Sequence, residues 1–241
     1  MVVNRWGGCA VAIALTSLSA GCSKDIFDVT VELGSEATSA DFGQQSGTIP
    51  TVTCDPSSPS VCTDGQTVDS SAATGTAVPT TIAVTPGCDA STDLCFAQVN
   101  GRVVYPVNVL QDDNFVAAVA ERTISIVRLA DLAYTVPTNT LTFEAPAVDI
   151  CVGPAGTALE TDPGVVQVGT TVAIPAGTPL ITAMHVTIAD GSPARALIES
   201  SIKAEQTFVF VLTLAPRIEA GDPIPGGAIE VDLFPQVQLG F

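Results

Sequence analysis

The fold of this chain is decided by Phe208-Val-Phe-Val-Leu-Thr-Leu214, a stretch in which six of seven residues are apolar. Side chains alternate between the two faces of a β-strand, so the phenylalanines and leucines share one face and the two valines occupy the other. Both faces therefore have to be covered by other parts of the chain. This pattern predicts a central strand in a two-layer packing.

The segments around this stretch are short and alternate between apolar and polar residues. Asn100-Gly101 is the strongest turn signal among them. Two short helices are predicted: 112–122, with an acidic start and a basic end, and 193–206, which follows Ser192 as N-cap and begins with proline. Strands are predicted at 26–33, 81–84, 97–104, 123–129, 140–145, 147–152, 165–168, 171–174, 181–188, 229–233 and 236–241.

Short strands at a spacing of about ten residues are typical of antiparallel sandwiches. Two helices are too few to supply the crossover connections of a parallel sheet. We therefore predict an all-β fold, an antiparallel β-sandwich of immunoglobulin-like or jelly-roll type with one or two short helices.

The composition is that of an acidic protein with a folded core. Of 241 residues, 46% are hydrophobic and 14% are charged, and the formal net charge is −17. A core of that hydrophobic content argues against disorder of the whole chain. The negative field repels phosphate groups, so neither nucleic acid nor anionic lipid headgroups are expected as partners.

The first 22 residues have the layout of an export signal. A positively charged start (Met1 to Arg5), an apolar run (11–18) and three small residues (19–21) precede Cys22. This order resembles the lipobox signal of bacterial lipoproteins. The resemblance implies that the chain is cleaved before Cys22, and that this cysteine is acylated and becomes the new N-terminus.

The same resemblance implies a location and a domain organisation. A lipid anchor at Cys22 would hold the protein in the cell envelope, and Ser23 in place of aspartate favours the outer membrane of a Gram-negative host. The predicted organisation is a signal peptide at 1–21, a strand with a flexible acidic segment rich in Ser, Thr and Gly at 22–80, and the β-sandwich at 81–241.

An exported protein can also form disulfides. Cys54 and Cys62 enclose one short polar loop, and Cys88 and Cys95 enclose another. Four cysteines allow three pairings, of which we favour the local one, Cys54–Cys62 with Cys88–Cys95. Cys151 is then a free thiol, which we expect to be buried as a small hydrophobic side chain.

His185 is the single histidine of the chain, which excludes metal sites built from several histidines. The alternation of its segment turns Met184 and Val186 inward and His185 outward. No G-x-S-x-G motif accompanies it. We predict a solvent-facing strand residue, with neither a catalytic nor a metal-binding role.

Two further patterns carry chemistry in other proteins. Ser200-Ser-Ile-Lys203 matches S-x-x-K, but the companion motifs S-D-N and K-T-G are missing, so a solvated helix face is favoured. Asp89-Ala-Ser-Thr-Asp93 begins like a calcium loop, but Leu94 stands where glycine is needed and Asn100 where the final glutamate belongs. Weak calcium binding by clustered carboxylates is left open.

No motif in the sequence identifies a reaction, and no cofactor is expected. The sequence favours a non-enzymatic binding or structural module that is held at the membrane through Cys22, with an unidentified protein or glycan as partner. The alternative is an exported hydrolase that works through carboxylates or through Ser200 and Lys203.

Overall fold

The computed structural model describes residues 29–33, 38–43, 47–63, 80–120 and 122–241. The predicted signal peptide and Cys22 lie outside these residues. The described residues contain two α-helices, α1 (Asp113–Val119) and α2 (Pro193–Lys203), with 3-10 turns at Pro59–Thr63 and Val109–Gln111. The strands are β1 (Val29–Glu32), β2 (Thr38–Asp41), β3 (Thr80–Cys88), β4 (Cys95–Val107), β5 (Ile126–Asn139), β6 (Asp149–Pro154), β7 (Val166–Thr170), β8 (Leu180–His185), β9 (Phe208–Leu214), β10 (Arg217–Ile218) and β11 (Ala228–Gly240).

The strands form two sheets in which every pairing is antiparallel. The first sheet has the order β1–β11–β5–β8, with β2 also paired to β11. The second has the order β10–β4–β9–β6–β7, with β3 also paired to β4. The sheets enclose a shared core of aliphatic and aromatic side chains. The predicted antiparallel sandwich with two short helices is confirmed.

Strand β9 is central, as its sequence predicts. It lies between β4 and β6, and its residues 208–211 are at most 3% exposed. The phenylalanines face the core, and the valines pair with Gly153 and Cys151 of β6, next to the loop between β6 and β7. In that loop Thr157 packs against Gly153, and Glu160 pairs with Arg102 of β4 at 3.1 Å.

The predicted turn at Asn100-Gly101 is wrong. Strand β4 runs through both residues, and the hairpin between β3 and β4 closes at 89–94. Gly101 does not adopt the positive φ that a tight Asn-Gly turn requires. In the closing turn, the Asp89 carboxylate accepts a hydrogen bond from the Ser91 N–H at 2.7 Å.

Several other strand predictions differ from the structure, most of all the one at 123–129, where β5 runs from Ile126 to Asn139. The segments 229–233 and 236–241 form the single strand β11, in which register shifts at 230/232 and 236/237 accommodate the irregularity around the proline. The segments 140–145 and 171–174 are loops, joined by one bridge between Ala145 and Ile174. Their alternating patterns reflect packing against the core without a strand partner along their length.

The described residues between 29 and 63 belong to the sandwich. Strands β1 and β2 pair with opposite ends of β11, and Phe42 and Ile49 are buried. The strand predicted at 26–33 corresponds to β1, whereas residues 38–43 and 47–63, predicted as part of a flexible segment, pack into the sandwich. A few apolar residues within a polar segment are enough to hold that segment against the sheet.

The disulfides join Cys54 to Cys88 and Cys62 to Cys95. The four predicted cysteines are all bonded, but the favoured local pairing is wrong. The reason is a long-range contact: the Cys54 N–H donates to the Asp93 carbonyl at 2.9 Å, which places Cys54 beside the end of β3. Among the described cysteines Cys151 is free, as predicted, although it is half-buried and not fully buried.

No helix in the described part of the chain is long and apolar enough to cross a membrane.

Candidate functional site

Helix α2 lies along the open edge of β5 and satisfies its backbone groups with side chains. The Leu129 N–H donates to Glu199 Oε1 at 2.8 Å, and Arg195 Nη1 donates to the Leu129 carbonyl at 2.9 Å. Lys203 Nζ donates to the Ser125 carbonyl at 2.7 Å. The polar face of α2 therefore replaces a neighbouring strand, which protects an edge that would otherwise expose unpaired groups.

These contacts assign structural roles to the S-x-x-K residues. Lys203 is held by the Ser125 carbonyl, and the Ser200 hydroxyl donates to the Leu197 carbonyl at 3.0 Å within the same helix. An acyl-transfer site needs the serine and the lysine directed at each other. Both polar groups here are directed at backbone carbonyls instead.

A polar groove of about 170 Å³ opens where β5 and β8 diverge beside α2. His185 ends β8 opposite Ala133, which brings its Nδ1 to 2.5 Å from Asp131 Oδ2. The histidine side chain is 67% exposed, so the outward orientation predicted from the sequence is confirmed. The groove is lined by 129–132, 185–188 and Arg195.

Arg195 lines this groove, and its contacts stabilise the fold. It bonds the Leu129 and Ile188 carbonyls and pairs with Asp190 at 3.2 Å. Its Nε is buried and has no hydrogen-bond partner within the described part of the chain. Through its two hydrogen bonds to backbone carbonyls, this guanidinium fastens α2 to β5 and to the segment that follows β8.

The Asp131–His185 pair is an arrangement that can orient an imidazole for proton transfer. Nucleophilic catalysis also requires a serine, cysteine or comparable group within reach of the histidine. Neither a serine nor a cysteine is found among the described residues that line the groove. Thr187 lines the groove and carries a hydroxyl, but in the described part of the chain His185 bonds to Asp131 and not to this threonine, so the groove holds a proton acceptor without an activated nucleophile.

A second concavity lies between the two sheets and is almost entirely apolar. Its volume is about 90 Å³. Inward-facing Val103, Leu212, Leu214 and Val231 line it and stay only half-buried, whereas inward-facing residues toward the other end, such as Phe208, are fully buried. The sheets close tightly at one end of the sandwich and leave an apolar cleft at the other. Its lining is Ala40, Ile82, Gly101, Arg102, Val103, Tyr105, Tyr134, Ala145, Pro146, Val148, Thr171, Ile174, Leu212, Leu214, Ile229, Val231 and Leu233.

Polar groups at the cleft walls already take part in hydrogen bonds with other parts of the chain. Tyr134 accepts a hydrogen bond from the Val172 N–H at 2.9 Å, and Thr171 Oγ1 accepts one from the Val148 N–H at 3.0 Å. The Arg102 guanidinium pairs with Glu160 of the loop that covers the outer face of the sheet. The cleft therefore offers a ligand hydrocarbon contact and no unpaired charge.

The acidic turn at 89–93 does not form a calcium cage. The Asp89 carboxylate binds Ser91 and the Arg217 guanidinium, and Arg217 stacks over the Phe96 ring at 4.0 Å. The hydrogen bond from the Ser91 side chain, followed by the one from Arg217, holds the pKa of Asp89 well below its usual range. A carboxylate used in this way is a structural acceptor.

The clustered cysteines are likewise unavailable for metal binding. The Sγ atoms of Cys54, Cys62 and Cys95 lie within 4.8 Å of one another. Each of them is in a disulfide, so none is available as the thiolate that a metal ion requires. Burial, followed by the charges of Asp149 and Glu160, raises the pKa of the remaining Cys151 thiol, which lowers its reactivity.

Sequence reasoning missed the residues that define both concavities. Asp131 lies 54 positions from His185, and no local pattern connects them. The cleft consists of ordinary apolar strand residues whose alternation signals burial but not whether the opposite sheet closes over them. The predicted lipidation site, Cys22, lies outside the described residues.

Comparison with known proteins gives no family. No protein-family model matches the chain, and no curated protein matches it. The chain is similar to a chain in the structure of black queen cell virus, with a TM-score of 0.30 and 9% sequence identity, over 100% of this chain and 84% of that chain. A TM-score this low supports no inference about function, which has to come from the geometry described above.

Proposed function

We propose that this protein is a non-enzymatic binding module of the bacterial cell envelope. It is tethered by an acylated Cys22, in the outer membrane of a Gram-negative host, and it binds its ligand in the cleft between the sheets. A rigid sandwich with a preformed apolar concavity is suited to binding without catalysis.

The position of the cleft relative to β1 carries this proposal. Val29 pairs with Leu239 near the end of β11, whereas the cleft is lined by Ile229 and Leu233 near its beginning. The stretch of strand between Leu233 and Leu239 corresponds to roughly 20 Å. Only six residues separate Cys22 from β1, a link that spans at most about 25 Å, so a lipid there attaches the protein through the β1 end, opposite the end that holds the cleft.

The contacts of Ser200 and Lys203 argue against a hydrolase that works through this pair. Ser200 and Lys203 both bind backbone carbonyls, and the Asp131–His185 pair has no serine or cysteine beside it in the described lining of its groove. Binding requires none of these groups to be free. A role in which the scaffold presents a concave surface therefore fits the geometry better.

Membrane fractionation of a Cys22→Ala variant tests the tether. In a Gram-negative host we expect the wild-type protein to stay in the membrane pellet after a carbonate wash. The variant lacks the acylated thiol and is expected in the soluble exported fraction.

Cys151→Ala is the matched control, because it makes the same substitution at the free thiol of β6 and should leave the protein in the pellet. Intact-mass measurement of the wild-type protein should show the mass of the acyl chains. A Cys22→Ala variant that resists the carbonate wash contradicts the tether.

A further inference from the structure

The shape and size of the inter-sheet cleft restrict what can occupy it. Its volume is about 90 Å³, smaller than the roughly 150 Å³ of an engineered apolar cavity that binds benzene. The cleft is therefore too small to enclose a whole aromatic ring. The end of an unbranched chain, a few carbons long, fits a slot between two sheets, and the rest of the chain can leave through the open side.

The charge of the protein further restricts the ligand. The formal net charge of −17 disfavours the approach of a carboxylate or phosphate. Polar groups at the cleft walls, including Tyr134 and Thr171, are already hydrogen-bonded. A polar group that entered would lose its hydration, and the two hydroxyls that could still donate to it, on Tyr134 and Thr171, are buried at 2% and 9% exposure.

From these observations we infer that the cleft binds the terminal carbons of the alkyl chain of an uncharged amphiphile. This inference rests on the proposed function, since it takes the cleft to be the ligand site. Binding would remove from water the half-exposed side chains of Val103, Leu212, Leu214 and Val231, which is the source of the affinity.

A series of linear 1-alkanols tests this proposal on the full-length Cys22→Ala chain, which carries no acyl groups of its own and needs no detergent. Titration is followed by the amide NMR signals of Leu212, Leu214 and Val231. We expect saturable shifts at these residues and an affinity that rises about fourfold per methylene until the cleft is filled. Hexanoate should bind more weakly than hexanol.

Two variants locate the site. Ala145 is buried in the cleft wall, so Ala145→Leu should fill the cavity and abolish the saturable shifts. Ala196→Leu, on the exposed side of α2, is the matched control and should bind alkanols like the parent chain. If Ala145→Leu does not fold, Val231→Ala serves instead: it widens the cleft and should allow the affinity to rise over longer chains.

Three results overturn the proposal: no saturable shifts with any alkanol, unchanged binding in folded Ala145→Leu, or tighter binding of hexanoate than of hexanol. If alkanols fail while acylated Cys22 still retains the protein in the membrane, the ligand class is wrong and the tethered module stands. If alkanols bind while Cys22→Ala stays in the membrane, the cleft assignment stands and the tether fails.

Discussion

At the scale of single residues, burial distinguishes side chains that stabilise the fold from side chains that contribute little to its stability. Phe210 is fully buried and packs edge to face on Phe208 with the ring centroids 5.6 Å apart. His185 has a close carboxylate partner in Asp131, yet most of its surface faces solvent. Exposed ion pairs contribute little to stability because solvent screens them.

We therefore expect Phe210→Ala to cost about 3–5 kcal/mol, and His185→Ala to change stability by less than about 0.5 kcal/mol. Denaturant unfolding of the two variants at neutral pH measures both. Equal losses would mean that the inward and outward faces of the sandwich have been confused.

Asp89 allows a prediction about pH at the same scale. Its usual pKa of 3.8 is strongly lowered in the fold by Ser91 and Arg217. A lowered pKa means that the carboxylate stabilises the native state above pH 3.8, and that this contribution disappears as the pH falls toward the folded pKa.

We expect Asp89→Asn to lower the melting temperature at pH 7, and the gap from the wild-type protein to shrink progressively below about pH 4. Asp222→Asn, at an exposed turn position, is the control and should follow the wild-type curve. A gap that stays constant down to pH 2 would show that the charge of Asp89 is not what stabilises the turn.

At the scale of elements, α2 is the least conventional part of the sandwich. Pro193 and the Ser192 cap start the helix, and its buried side chains Ala194, Ile198 and Ile202 pack against the core. Its polar side chains bind the backbone of β5. One short helix thus closes the side of the sandwich and covers a strand edge at once.

Glu199→Ala tests this arrangement. It leaves the Leu129 N–H without its acceptor, which should cost about 1.5–3 kcal/mol, the usual range for a hydrogen bond to a charged group. Ser200→Ala, one position along the helix, should be nearly neutral because that hydroxyl bonds within the helix. Hydrogen exchange of the Leu129 amide should accelerate in the Glu199 variant only. Equal exchange rates in the two variants would contradict the proposal that Glu199 protects the edge of β5.

At the scale of the whole molecule, the disulfides join the N-terminal segment to the β3–β4 hairpin. They span 34 and 33 residues, far more than the loops of the local pairing. On the chain-entropy model, each constrains the unfolded chain by about 4 kcal/mol. For a domain with a typical stability of 5–15 kcal/mol, this is a substantial share.

Unreduced peptide mapping should therefore recover Cys54 with Cys88 and Cys62 with Cys95. Replacing Cys62 and Cys95 together by alanine should lower the melting temperature markedly, whereas Cys151→Ala should change it little. Recovery of a peptide that links Cys54 to Cys62 would support the local pairing. It would contradict the covalent link between the N-terminal segment and the hairpin.

Much of the fold was readable from the sequence because it depends on neighbours along the chain. The apolar pattern of Phe208–Leu214 predicted a central strand with the bounds that the structure shows. The cap and proline at 192–193 predicted the start of α2, and Asp112 predicted the start of α1, where its side chain accepts from the Phe115 N–H at 2.8 Å.

The remainder depended on contacts between residues far apart in sequence, which no local pattern encodes. The disulfide partners, the pairing of Asp131 with His185, and the closure of the acidic turn by Arg217, 128 positions away, all follow from strand register and loop path. The cleft is decided in the same way. Alternation states which side chains turn inward, but only the separation and curl of two packed sheets determine whether anything covers them.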